Sequence, residues 1–205
     1  MSENNNNNEN ITNLHDLINS IKEISAIVVV DDARTITDEE IAEIRKGLEL
    51  DNKISEGENV ISEFKGKYHF LSNFHQCDFV YEGLTYHTAE AAFQAQKCSS
   101  EEDKIKYTEV KNPVAAKRMG RKEPNLPENW NDISAGIMKD ILTAKFAVPE
   151  MKEKLLATGD ATLVEGNKHH DNIWGRCVCE KCLAKNVLGL NRLGNILMEI
   201  RDSLS

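Results

Sequence analysis

In the main part of this chain, after residue 59, residues that favour β-strands are concentrated in one short stretch, residues 68–86. The aromatic and turn residues of this stretch have the spacing of two or three short strands, and Glu82-Gly83 is the predicted turn between two of them. Most of the chain after it is predicted to be helical, with helices over residues 88–98, 101–110, 113–119, 134–146, 148–157 and 193–204. A small sheet with many helices predicts an α+β fold, in which a single, mainly helical domain carries the sheet.

The first part of the chain has a different composition, and we expect it to be a short N-terminal extension. Residues 1–10 are rich in asparagine and are predicted to form a disordered tail, because such a tract cannot build an apolar core. The predicted elements of residues 11–58 are a helix over 11–24, a short strand over 26–30 and a helix from the Thr37–Glu40 capping box to about residue 51. A polar segment follows, so residues 59–205 are predicted to form the main domain.

The composition limits the classes of partner. The chain has 205 residues with 34 acidic against 25 basic ones, which gives a formal charge of −9. Proteins that bind nucleic acids broadly are usually basic, because Lys and Arg must replace the counterions of the phosphates. We therefore expect no broad nucleic-acid surface, whereas a small anionic substrate held by a few local cations is compatible with the charge. Without a long apolar run or a secretory signal, the chain is expected to be cytoplasmic, with no membrane partner.

The segment 88–97 is the strongest candidate for a functional site. Thr88 is a natural N-cap, which places Glu90 in the first helical turn. Glu90, Gln94 and Lys97 are four and three residues apart, so they project from one face. The many alanines between them indicate a closely packed helix, and a polar face on such a helix indicates a pocket; an ordinary solvated face is the alternative. The helix dipole favours an ionised Glu90, which suits a charge stabiliser, nucleophile or base.

Two further groups of residues have the chemistry of a nucleotide site. Trp130 and Trp174 are the only tryptophans, and each is either a stacking platform for a planar base or a core residue. Asp171, close to Trp174, is a candidate for binding ribose hydroxyls or for acid–base chemistry. Arg118 and Arg121 belong to the densest basic cluster, which is either a phosphate site or a solvated helix end.

Three of the five cysteines are crowded into Cys177, Cys179 and Cys182. The spacing of the last two fits half of a zinc site, and Cys177, His169 or His170 are candidates to complete it. No second, distant pair of cysteines exists, which excludes a standard zinc ribbon. We therefore expect reduced thiols near the site rather than a metal, and no cofactor is predicted.

Several motifs, in order along the chain, resemble those of the NADAR (YbiA-like) family over residues 61–204. They are Phe70-Leu-Ser-Asn-Phe74, the segment Thr88–Lys97, Pro113-Val-Ala-Ala with Met119-Gly-Arg121, Asn129-Trp130, Ala144-Lys-Phe146, Leu163-Val-Glu165, Asp171-x-x-Trp-Gly175, Asn191-Arg-Leu-Gly194 and Leu197-Met-Glu199. In the first helix motif, Ala91 and Ala92 replace a His-Tyr pair, and the cysteine cluster replaces a Gly- and His-containing stretch. Both departures lie close to the expected site.

The resemblance implies a hydrolase of N-glycosidic bonds on ribose phosphates. Family members are associated with aminopyrimidine intermediates of riboflavin synthesis or with removal of ADP-ribose from guanine, so the expected substrate is small, anionic and nucleotide-like, with ADP-ribosylated guanine in DNA as one candidate. The residues assigned to the catalytic steps are Glu90, Lys97 and Asp171. The residues assigned to substrate binding are Asn73, Phe74, Gln94, Arg118, Arg121, Trp130, Lys145 and Trp174.

The sequence is compatible with two mechanisms of hydrolysis and with two other functions. In direct hydrolysis, Glu90 stabilises the positive charge that develops at the anomeric carbon and orients a water molecule. In the second mechanism, Lys97 forms a Schiff base with a ring-opened ribose. The first alternative function is a module that binds ADP-ribose or a nucleotide without cleaving it, and the second is a redox or metal sensor built on the cysteines.

Overall fold

The computed structural model describes residues 37–56 and 59–205. The chain divides into two compact units, and the division falls between residues 56 and 57. The predicted Asn-rich tail, the first predicted helix and the short strand over 26–30 lie outside the described residues. Within the described residues, no helix is both long enough and apolar enough to cross a membrane.

The described part of the first unit is one helix, α1 (Asp38–Ser55). It starts directly after Thr37, whose carbonyl accepts a hydrogen bond from the Ile41 amide at 3.0 Å. The predicted start is therefore confirmed. The helix continues past the predicted end near residue 51, because residues 52–55 contain no glycine or proline that would interrupt it.

The second unit contains seven α-helices and six strands among its described residues. In chain order they are β1 (Val60–Ile61), β2 (Gln76–Tyr81), β3 (Leu84–Thr88), α2 (Ala89–Ala95), α3 (Glu101–Thr108), α4 (Pro113–Gly120), α5 (Trp130–Phe146), α6 (Pro149–Leu156), β4 (Thr162–Leu163), β5 (Gly166–Asn167), β6 (Arg176–Cys177), α7 (Glu180–Ala184) and α8 (Arg192–Leu204). The strands form three two-stranded pairs: β1 with β4 and β5 with β6 are parallel, and β2 with β3 is antiparallel. The predicted α+β class is confirmed.

The hairpin of β2 and β3 turns at the predicted dipeptide. Glu82 and Gly83 both have positive φ angles, 49° and 78°, which match the twist of a tight two-residue hairpin turn. The sequence also placed strand structure near Tyr68, but a 3₁₀-helix occupies Gly66–Leu71 instead. The adjacent residues Phe70 and Leu71 are both buried, which a strand with one covered face does not allow.

Helix α2 lies at the centre of the second unit. Every one of its seven residues is buried, and it packs against α3, α4 and α5. Its four alanines have no exposed surface, so the neighbouring elements approach the backbone closely. Thr88 caps the helix by accepting a hydrogen bond from the Ala91 amide at 3.1 Å, as predicted. The solvated-face alternative for this helix is therefore wrong.

Candidate active site

Glu90, Gln94 and Lys97 line one cavity of about 730 Å³. With the exception of Lys145, the residues that the sequence assigned to the site line this cavity; the others are Asn73, Phe74, Arg118, Arg121, Trp130, Asp171 and Trp174. The volume lies within the usual range of small-molecule pockets, which is roughly 300–1,000 Å³.

Glu90 is held in the wall of the cavity by both its backbone and its side chain. Its amide donates a hydrogen bond to the Asn73 carbonyl at 3.0 Å, and its Oε1 accepts one from Gln94 Nε2 at 2.9 Å. Burial raises the pKa of Glu90, while Lys117, the Gln94 hydrogen bond, Lys97 and Arg121 act in the opposite direction. The effect of burial is larger than these opposing effects. Glu90 is therefore less easily ionised than the sequence predicted from the helix dipole alone.

Lys97 lies just beyond the end of α2, and its amide still donates to the Gln94 carbonyl at 3.2 Å. Burial lowers the pKa of Lys97, and the negative charge of Glu90 only partly offsets this. Its Nζ lies 5.5 Å from the ring centroid of Trp130, within the range of a cation–π contact. The lysine is therefore placed between an acidic group and an aromatic surface.

An aromatic wall forms one side of the cavity. The Phe93 ring packs against Trp130 at a centroid distance of 5.1 Å and against Trp174 at 5.5 Å. Trp130 is 9% exposed and belongs to the apolar core. Trp130 is therefore a core residue that also lines the cavity, and its role as a stacking platform for a planar base stays a prediction.

Asp171 organises the loop that carries Trp174. Its Oδ1 accepts hydrogen bonds from the amides of Ile173 at 3.1 Å and Trp174 at 2.9 Å. Asn167 supports the same loop, because its Oδ1 accepts from the amides of His169 and Asp171, both at 3.2 Å, and its Nδ2 donates to the Asp171 carbonyl at 2.6 Å. The position of Asp171 at the cavity is thus fixed by the backbone around it.

Glu165 is a cavity residue to which the sequence gave no role. It lies between β4 and β5, and burial together with the negative charge of Asp171 raises its pKa to about 7. Its Oε2 is buried and has no hydrogen-bond partner. The available signal was an acidic residue directly after the apolar pair Leu163-Val164, where a side chain is expected to be covered.

Two other buried acceptors of the cavity also have no partner, Asn73 Oδ1 and Gln94 Oε1. Buried polar atoms without partners are uncommon in folded proteins because each one costs free energy. Three of them along one cavity indicate that a ligand with N–H or O–H groups, or ordered water, completes their hydrogen bonds.

Cations lie on the side of the cavity formed by the end of α4. Lys117, Arg118 and Arg121 all line it, and Lys117 Nζ is also 5.6 Å from the Phe74 ring centroid. The sequence assigned no role to Lys117. The interpretation of this cluster as a solvated helix end is incomplete, because the three side chains face a cavity that also contains carboxylates.

Lys145 is the one assigned residue that the structure does not place at the site. It has no exposed surface, and its Nζ donates hydrogen bonds to the carbonyls of Phe70 at 2.7 Å and Ser72 at 2.9 Å. Burial lowers its pKa to about 7. The structure therefore does not support the predicted role of Lys145 in substrate binding; the residue instead fixes the end of the 3₁₀-helix to α5.

The fold and the cavity define an α+β protein with one cavity lined by carboxylates, aromatic rings and cations. Residues 61–205 match the family model for the NADAR domain, so the chain belongs to the NADAR family. The chain is 37% identical over 137 residues to N-glycosidase YbiA of Escherichia coli, which covers 66% of this chain and 81% of that protein. It is 32% identical over 142 residues to N-glycosidase Npun_R5314 of Nostoc punctiforme, covering 67% and 86% of the two chains. The NMR structure of E. coli YbiA superposes with a TM-score of 0.60 at 35% identity, covering 71% of this chain and 85% of the other.

Proposed function

We propose that this chain hydrolyses the bond between a phosphorylated ribose and a nitrogenous base. The broader part of this statement follows from the family: the curated relatives are N-glycosidases, and the chain is accordingly a hydrolase acting on N-glycosyl bonds. The finer part, the nature of the substrate, is our proposal. It is supported by one observation above all: a single cavity combines a buried carboxylate, an aromatic wall and three cations.

Each component of this cavity suits one part of such a substrate. The aromatic surface of Trp130 and Trp174 suits a planar base. Arg118 and Arg121 are suited to phosphate oxygens, because a guanidinium group donates two parallel hydrogen bonds. The buried acceptors without partners suit the hydroxyl groups of ribose or the N–H groups of a base.

Glu90 is assigned to the reacting centre. In the proposed step the carbon–nitrogen bond breaks and its electron pair goes to the leaving base, while positive charge develops on the anomeric carbon. The Glu90 carboxylate stabilises this charge and accepts a proton from the attacking water, whose oxygen forms the new bond to carbon. The raised pKa of Glu90 makes its carboxylate a stronger proton acceptor than that of an ordinary glutamate.

Glu165 is assigned as the proton donor to the leaving base. A pKa of about 7 leaves a substantial fraction of the carboxyl protonated at neutral pH, as a general acid requires. Asp171 holds the ribose hydroxyls and, by its negative charge, helps to keep the pKa of Glu165 high. Glu90 and Glu165, which lie in different environments, thereby act as proton acceptor and proton donor respectively.

A second mechanism remains compatible with the same cavity. The lowered pKa of Lys97 increases the neutral fraction of its amine, which is the form that attacks a carbonyl or imine carbon. Lys97 would then form a Schiff base with the ring-opened ribose, and Glu90 would transfer the protons. Borohydride reduction during turnover, followed by peptide mass mapping, separates the two mechanisms, because direct hydrolysis leaves Lys97 unmodified.

The proposed substrates are ADP-ribosylated guanine, free or in DNA, and the aminopyrimidine ribose phosphates of riboflavin synthesis. A parallel turnover assay on both, with the wild type, Glu90→Gln and the exposed control Glu153→Gln, tests the proposal. We expect release of the free base and the ribose phosphate or ADP-ribose by the wild type and the control but not by Glu90→Gln. Tight binding of either substrate without any turnover would instead identify a non-catalytic nucleotide-binding module.

A further inference from the structure

The side chains of His170, Cys177, Cys179 and Cys182 converge on one point near the loop that carries Asp171. Their ligand atoms, one imidazole nitrogen and three sulfurs, all lie within 4.8 Å of one another. From this convergence we infer that the chain has a structural zinc site with three cysteine ligands and one histidine ligand. Reduced thiols, which the sequence favoured, leave the approach of the histidine to all three sulfurs unexplained.

The distances between the ligand atoms fit a single tetrahedral ion. His170 Nδ1 lies 3.2 Å from Cys182 Sγ, 3.5 Å from Cys179 Sγ and 4.0 Å from Cys177 Sγ. Zinc binds sulfur at about 2.3 Å and nitrogen at about 2.0–2.1 Å, so tetrahedral geometry separates the nitrogen from each sulfur by roughly 3.6 Å. The three distances lie on both sides of this value, as expected for a site that needs only small adjustments to close around the ion.

Local structure brings the four ligands together. Cys177 ends β6, while Cys179 is the N-cap of α7 and Cys182 lies in that helix. His170 itself has a φ angle of 66°, in the left-handed region, which histidine adopts more readily than most residues. This backbone conformation lets its ring reach the three cysteines. The turn from β6 into α7 is therefore short enough to place three sulfurs around one point.

Hydrogen-bond donors point at two of the sulfurs. The Cys182 amide donates to Cys179 Sγ at 3.4 Å, and Asn172 Nδ2 donates to Cys182 Sγ at 3.7 Å. The carbonyl oxygen of the Asn172 side chain also accepts from the Cys177 amide at 2.9 Å, which fixes the amide group between two ligand residues. Donors of this kind stabilise thiolates and orient metal ligands. They form a second layer around the site without occupying it.

The ligand set selects the metal. Three thiolates and an imidazole in a tetrahedral arrangement suit zinc, whereas calcium and magnesium require oxygen ligands. All four ligand atoms are supplied by the protein, so the site is closed and structural rather than catalytic. The ion with three thiolates carries one net negative charge. The shallow cavity next to His170 and Cys179 is lined by Lys168, Lys181 and Glu180, whose charges leave one net positive charge to oppose it.

The position of the zinc site in the chain indicates that it stabilises a loop of the candidate active site. His170 stands between His169 and Asp171, which both line the candidate active site. Its coordination would fasten the middle of this loop to β6 and α7, in addition to the hydrogen bonds from Asn167. The zinc ion touches no reacting atom; it positions the loop. The inference does not rest on the proposed function, because metal content is measured without a substrate.

Metal analysis of the untagged full chain, purified from cells grown with zinc in the medium, tests the inference. We expect about one zinc ion per chain in the wild type and in the control Cys77→Ser, since Cys77 lies outside the cluster. Cys182→Ser and His170→Ala are expected to lose most of the metal. Wild-type protein with less than about a tenth of an equivalent of zinc, or cluster variants that keep as much as the wild type, would overturn the inference.

A second measurement does not depend on whether the variants fold. X-ray absorption at the zinc edge of the wild-type protein is expected to give three sulfur neighbours at about 2.3 Å and one nitrogen at about 2.0–2.1 Å. A shell of oxygen and nitrogen alone would show that the ion binds elsewhere and would contradict the site. Thiol titration gives the matching result, with three cysteines becoming reactive only after a chelator is added.

Discussion

Lys145 and the cavity wall are both places where polar groups are buried, but they differ in whether those groups have partners. Lys145 Nζ donates to two backbone carbonyls and lies away from the cavity. Asn73, Gln94 and Glu165 each present a buried acceptor without a partner to the cavity. A buried polar group with its hydrogen bonds formed can serve the fold, whereas several acceptors left without partners along one cavity indicate a site for a ligand or ordered water. Substitutions on the two sides of this comparison should therefore affect different quantities.

The largest expected effect is on catalysis at the cavity. Glu90→Gln keeps the shape of the side chain and removes its charge, so we expect kcat to fall by roughly 10²–10⁴-fold, the usual contribution of a positioned acid or base. The melting temperature should not fall, because burial already disfavours the charged form. Steady-state kinetics and a thermal melt of the same sample measure both. Near-normal kcat would remove Glu90 from the reacting centre.

On the other side of the comparison, Lys145→Met should affect stability. The change leaves the carbonyls of Phe70 and Ser72 without their donor, and we expect the free energy of unfolding to fall on the order of 3 kcal/mol. Urea denaturation measures this loss. Lys139→Met on the exposed face of α5 is the matched control and should change stability by less than about 1 kcal/mol. A variant of normal stability but raised KM would return Lys145 to the substrate site.

The third prediction concerns the pH profile. If Glu165 donates a proton to the leaving base, activity falls as the pH rises through about 7, where the carboxyl loses that proton. Glu165→Gln removes this alkaline limb and lowers kcat, by about tenfold or more. A profile of kcat against pH for both proteins tests the assignment. An unchanged alkaline limb in the variant would assign the proton transfer to another group.

The smallest expected effect concerns how the free energy of unfolding depends on pH. Glu165 and Lys145 should contribute to this dependence in opposite directions. The folded pKa of Glu165 is raised from 4.5 to about 7, so its contribution is fully present below 4.5 and is lost as the pH rises through about 7. The folded pKa of Lys145 is lowered from 10.5 to about 7, so its contribution increases between about 7 and 10.5.

Unfolding free energies measured against pH separate these two contributions. Relative to the wild type, Glu165→Gln should gain stability between about pH 5 and about pH 8. Lys145→Met should lose stability relative to the wild type from about pH 7 towards pH 9. Slopes of the same sign for both variants would contradict the opposite directions of the two pKa shifts.

Local sequence patterns predicted those parts of the fold and site that depend on neighbouring residues. The Thr88 cap, the polar face of α2 and the Glu82-Gly83 turn are of this kind, since each is set by residues a few positions apart. The parallel pair of β5 and β6 is different, because two-residue strands carry no periodicity from which they can be recognised.

Lys145 and Glu165 were beyond local prediction for the same reason. Whether a charged side chain faces a cavity or a pair of carbonyls depends on residues far away in the chain, such as Phe70 for Lys145. The motif that contains Lys145 identified the family but could not indicate the direction of its side chain. For Glu165, the high pKa arises from burial and from Asp171 on another loop.

Gly120 packs directly against the Gln94 side chain, so tightly that a β-carbon at this position would overlap the amide group. Helix α4 ends at Gly120, so a larger residue at this position would displace either the Gln94 side chain or the helices themselves. Arg118 lies on α4 and Arg121 directly follows it, whereas Glu90 lies on α2. The contact at Gly120 thus limits how closely the two helix backbones that carry these groups can approach each other. If Arg118 and Arg121 bind the phosphate as we propose, this spacing would select substrates by the distance between their phosphate and their anomeric carbon.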